Sequence, residues 1–110
     1  MIINSFENLT EINQEHLSTS EFVNKINADF SSFSNNNLIV VLSSLVNLTK
    51  SELSDFLLIS NTHRQNGHSF VIVTNNIDID STPEEIIVVP TLTEAKDIIE
   101  MEEMERDLNL

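Results

Sequence analysis

The chain has 110 residues, 40% of them apolar, and 18 acidic against five basic side chains give a net charge of −13. That size and apolar content suit one domain with a modest core and argue against intrinsic disorder. The absence of cysteine rules out disulfides and thiolate metal sites, and the acidity opposes binding to nucleic acid or to an anionic membrane.

Met1 to Ile3 begins an extended segment, with Leu9 to Ile12 as its hairpin partner. Ser18-Thr19-Ser20-Glu21 has capping-box spacing, and Phe22, Ile26, Phe30 and Phe33 behind it form one apolar stripe at near-helical spacing. Ser31 to Asn37 is short and polar and reads as a loop. Leu38 to Leu42 is an unbroken β-branched run, expected as a strand buried on both faces.

Thr49-Lys50-Ser51-Glu52 is a second capping box. It predicts a helix of about 16 residues ending near Asn66, with Gly67, the only glycine, free to take the left-handed position after it. Ser69 to Val73 forms the next strand. Strand, helix and strand in this order imply a parallel, right-handed crossover. Asn75 to Pro83 reads as a loop, and Ile86 to Val89 as a short strand stopped by Pro90. Thr91-Leu92-Thr93-Glu94 is a third capping box. It heads a terminal helix with Leu92, Ala95, Ile98, Ile99 and Leu108 facing inward, and Met101 and Met104 beside that stripe.

No stretch carries strong catalytic chemistry. One glycine cannot build a phosphate-cradling loop. No Gly-x-Ser-x-Gly elbow accompanies the serines. His63 and His68 flank a turn but lack further ligands for a metal, so His63 and Arg64 read as cations favoured by the helix C-terminus. Asp78-Ile79-Asp80 lacks the glycine and the later Glu of a calcium loop. The sequence thus implies no catalytic residue, metal or cofactor. The acidic last third reads as a solvated helical face or as a surface for a basic partner. Met1 to Glu7 has no signal-peptide pattern, and no apolar run nears the roughly 20 residues that span a bilayer. The expectation is a soluble, cytoplasmic, single domain over residues 1–110.

The order of elements resembles the sulphate-transporter and anti-sigma-factor-antagonist (STAS) domain. The residues carrying the resemblance are Leu38 to Leu42, Leu53 to Leu57, Gly67 to Val73, and Val88 through Pro90 to Ala95. It implies an α/β fold, a small sheet of four to five mostly parallel strands packed with three main helices. Regulatory members carry Asp-Ser-Ser-Gly-Leu at the head of the central helix, where phosphorylation of the first serine by an anti-sigma-factor kinase breaks the complex. The matching stretch here is Thr49-Lys50-Ser51-Glu52-Leu53. Lys50 stands at the phosphorylated position, Glu52 replaces the glycine, and only Ser51 and Leu53 persist. The chain is also similar to short bacterial STAS-type proteins that neighbour, and are sometimes named after, ribonuclease Z. The His-x-His-x-Asp-His cluster of such a nuclease is absent here.

The resemblance implies a non-catalytic regulatory module that binds a protein, an anti-sigma-factor-like kinase or another regulator, without the usual serine switch. Lys50, Ser51, Ser54 and Asp55 form the expected contact patch, with Ser51 the possible phosphorylation site. Two alternatives remain. One is a small-ligand-binding domain or enzyme using Ser43, Ser44, Thr74, Asn75 and Asn76 at the strand ends. The other is a structural subunit docking through Leu92, Ile99 and Met104 of its last helix.

Overall fold

The computed structural model describes residues 2–14, 18–42, 50–75, 82 and 85–108. Five strands form one sheet in chain order, β1 (Ile2–Ser5), β2 (Leu9–Asn13), β3 (Asn37–Val41), β4 (Phe70–Val73) and β5 (Ile87–Val89). β1 and β2 make the antiparallel hairpin, and the other three pairings are parallel. The register sets Ile12, Val40, Ile72 and Val88 on one face, and Glu11, Ile39, Val71 and Ile87 on the other.

The first face is covered by α1 (Thr19–Ala28), α2 (Phe30–Phe33), α3 (Lys50–Ser54) and α4 (Leu57–Gln65). Phe22, Ile26, Leu53 and Ile59 from these helices, and Phe56 from the turn between α3 and α4, pack with Leu38, Val40, Phe70 and Ile72 of the sheet. Phe22 and Phe56 meet edge to face at 6.1 Å and 77°. Removing each such side chain from water contributes about 1.5–3 kcal/mol before entropy is subtracted. The second face carries one helix, α5 (Leu92–Leu108). Its Ala95 and Ile99 are buried with Leu9, Ile39, Val71 and Val73, and Leu92 and Ile98 pack at the margin.

Ser18 caps α1 as its spacing predicts: its hydroxyl accepts from the Glu21 amide, and Glu21 also takes its hydroxyl proton. Thr91 likewise accepts from the Glu94 amide at the start of α5. Thr49 lies outside the described residues.

Four expectations need correction. Ser31 to Phe33 is not loop but part of α2, because Phe33 must turn into the core, and Asn37 already belongs to β3. The central helix is not one helix but two. The amides of Asp55 and Phe56 bond back three residues, to Glu52 and Leu53, and the Ser54 hydroxyl bonds the Lys50 carbonyl at 2.8 Å. Such tightening and back-bonding bend the chain and let Phe56 reach Phe22. Leu108 does not face inward but is 84% exposed. His63 is not a surface cation but a core residue, as described below.

Candidate functional site

Lys50 and Ser51 stand exposed on the first turn of α3, and Ser54 is exposed one turn later. Beneath them Leu53 and Phe56 are fully buried, so the turn is anchored to the core. Asp55 accepts a 3.0 Å hydrogen bond from the hydroxyl of buried Thr19, which ties the α3–α4 turn to the start of α1. Three of the four expected patch residues thus lie on α3 and the fourth, Asp55, in the turn after it. Asp55 has a structural partner; the Ser54 hydroxyl is occupied by the Lys50 carbonyl.

The expected strand-end site is not assembled by what is described. Thr74 is buried and Asn75 exposed, while Ser43, Ser44 and Asn76 lie outside the described residues. Of the expected docking residues, Leu92 and Ile99 are used against the sheet, and only Met104 is free to meet solvent. Among the described residues no group of three His, Asp or Glu side chains is placed to hold a metal. Among them, too, no helix is long and apolar enough to cross a membrane.

A second polar cluster lies at the opposite ends of the strands, and sequence reasoning missed it. Its centre is Asn37, read as loop but buried at the start of β3. Its amide nitrogen donates to the Asn8 carbonyl at 2.8 Å and to Glu103 at 2.5 Å. Its oxygen accepts from the Ser69 amide at 2.8 Å and from Arg106 at 3.3 Å. Both donors and both acceptor positions are therefore filled. Arg106 also donates to the Ser69 hydroxyl, and Arg64 pairs with Glu102 at 2.6 Å. Arg64, His68, Glu102, Glu105 and Arg106 line an open cleft of about 240 Å³ there. Its charges compensate one another, and it holds no nucleophile paired with a base. The signal that could have found this cluster is a phase change in α5: its inward positions turn polar after Ile99, at Glu102, Glu103 and Arg106.

His63 lies in the last turn of α4, against Asn36 and His68. α4 ends in a Schellman motif: the Gly67 amide bonds the Arg64 carbonyl, the His68 amide bonds the His63 carbonyl, and Gly67 has φ +84°. The usual side-chain contact across that motif is here His63 on His68, 5.1 Å between ring centres. Phe30 and Phe70 meet the His63 ring edgewise. Its Nε2 donates to the Asn36 carbonyl at 2.5 Å, and Nδ1 has no partner among the described residues. Burial lowers its pKa, the Asn36 carbonyl opposes this, and His68 adds to the lowering. The ring is a buried structural group whose lowered pKa favours the neutral form, which replaces the expectation of an exposed cation stabilised by the helix dipole.

No family model matches the sequence, and no curated protein matches it. Among solved structures, a serine-to-glutamate variant of Moorella thermoacetica RsbS superposes with a TM-score of 0.66 over 90% of this chain and 93% of its own, at 14% identity. Identity that low carries the fold and not the chemistry of particular residues. With its antiparallel β1–β2 hairpin, its parallel β2 to β5 and helices on both faces, the chain shares the α/β fold of that RsbS variant.

Proposed function

We propose that this protein is a non-catalytic regulatory module that binds another protein through Lys50, Ser51, Ser54 and Asp55. The observation that carries this reading is the first turn of α3, with Lys50, Ser51 and Ser54 exposed over the buried pair Leu53 and Phe56. A surface turn held from below loses little entropy when a partner settles on it. The fold shared with the RsbS variant supports the same reading. Lys50 keeps a positive charge where a phosphate would bring negative charge, so the contact is constitutive rather than switched by the usual serine. An anti-sigma-factor-like kinase is the kind of partner this reading favours. Ser51 is the exposed hydroxyl at which a displaced modification would act.

The test is affinity purification of the tagged chain from its native host, with partners and bait both read by mass spectrometry. A reproducible partner that Lys50→Glu and Ser54→Arg each remove, with Ser51 unmodified, supports the reading. A partner indifferent to both changes overturns the patch. Phosphate on Ser51 in the bound state would replace the constitutive contact with a shifted switch.

A further inference from the structure

Halfway along α5 the amphipathic character of the helix inverts. Its first half turns Ala95 and Ile99 onto the sheet. In its second half the inward side chains are Glu102, Glu103 and Arg106, engaged with Arg64, Asn37 and Ser69. The apolar residues of that half point to solvent instead: Met101 is 56%, Met104 55% and Leu108 84% exposed. These three follow i, i+3, i+7 spacing and so form one stripe, about 10 Å long. A stripe of this spacing has no use within the described protein, since the face opposite it already packs on the sheet.

The charge around the stripe has one sign. Asp97 lies in line with it, and Glu100 and Glu105 flank it on either side, all three exposed, Glu105 on the side that borders the Arg64–Arg106 cleft. Both cations of α5 are committed elsewhere. Lys96 lies over the Phe6 ring at 5.5 Å, and Arg106 is bonded to Asn37 and Ser69.

We propose that this outward face of α5 docks a basic amphipathic helix of a partner protein. Two Met and one Leu give a deformable apolar seam that accepts side chains of varied shape. Anchors spaced along one face of a helix match a seam of this length. Lys or Arg beside those anchors would meet Glu100 and Glu105, and the net charge of −13 would steer such a segment inward. A second copy of this chain is disfavoured, because a two-fold contact would bring the same acidic collar against itself. The surface lies on the opposite face of the sheet from α3, so it stands whether or not the α3 patch binds.

The test titrates the full isotope-labelled chain with two synthetic peptides of identical Lys and Leu content, followed by NMR at low and high salt. One peptide carries Leu at helical spacing, and the other is scrambled. The amphipathic peptide is expected to shift resonances of residues 97–108 and to bind at least about tenfold tighter than the scrambled one. Met101→Ser with Met104→Ser should abolish that preference and leave the melting temperature unchanged, since both side chains are exposed. Glu100→Gln with Glu105→Gln should weaken binding and flatten its salt dependence. Equal binding of both peptides, shifts scattered over the acidic surface, or a preference untouched by the Met double change would overturn the proposal. Dimerisation through residues 97–108, lost in Met104→Ser, would overturn it in favour of a second copy.

Discussion

Asn37 and Arg106, 69 positions apart, meet at 3.3 Å where the start of β3 faces the last turns of α5. The contact holds the polar half of α5 against the sheet after its apolar stripe has ended. It acts together with the Asn37–Glu103, Arg106–Ser69 and Arg64–Glu102 contacts, which also tie that half of the helix to the domain.

Asn37→Asp keeps the shape and reverses the chemistry. The new carboxylate would face Glu103 and the Asn8 carbonyl, both of which now accept hydrogen bonds from the amide. A loss of about 2–3 kcal/mol is expected in urea unfolding. A change within about 0.5 kcal/mol would mean that the cluster is solvated and holds nothing together.

The inversion of α5 makes paired predictions. Ile99→Ala removes a buried side chain and should cost about 2–5 kcal/mol. Leu108→Ser, at a position 84% exposed, should change stability by less than about 0.5 kcal/mol. If Leu108→Ser proved as costly as Ile99→Ala, the outward placement would be wrong.

Gly67 isolates a backbone effect. A Cβ added there would meet nothing within 4 Å, so any cost of Gly67→Ala comes from the φ of +84° alone. About 1–2 kcal/mol is expected from the left-handed penalty, and Gly67→Asn should lose less, because asparagine tolerates that region. Equal losses for both would mean that the turn is sensed through packing.

Stability should depend on pH through His63. Burial is the main cause that holds its folded pKa below the ordinary 6.5, so the unfolded ring takes a proton first as pH falls. The stability of the neutral ring is fully present above about pH 6.5 and is lost as pH drops through the lowered folded value. The urea midpoint should therefore fall between about pH 7.5 and pH 5.5. His63→Phe should lower it at high pH, by leaving the Asn36 carbonyl unpaired, and flatten it across that window. A wild-type midpoint that does not move would show that the ring protonates without leaving the core.

Features that depend on near neighbours are legible in the sequence. The buried run Leu38 to Leu42, the serine cap at Ser18, the stop at Gly67 and the hairpin of Ile3 with Ile12 are all written within a few residues, and all appear in the fold. Lys50, Ser51, Ser54 and Asp55 are near neighbours in the sequence, but that they lie on a short helix and the turn after it, rather than along one long helix, is not written there. Tertiary structure alone decided where helices break and which polar residues are inside. α3 and α4 separate because Phe56 must meet Phe22, which lies on another helix. Asn37 is buried because Glu103 and Arg106 reach it from the far end of the chain. His63 is inside the core because Phe30, Phe70 and His68 enclose it, and that burial lowers its pKa. Polar burial is tolerated only where partners converge, and those partners are distant in sequence, so no local spacing could announce them.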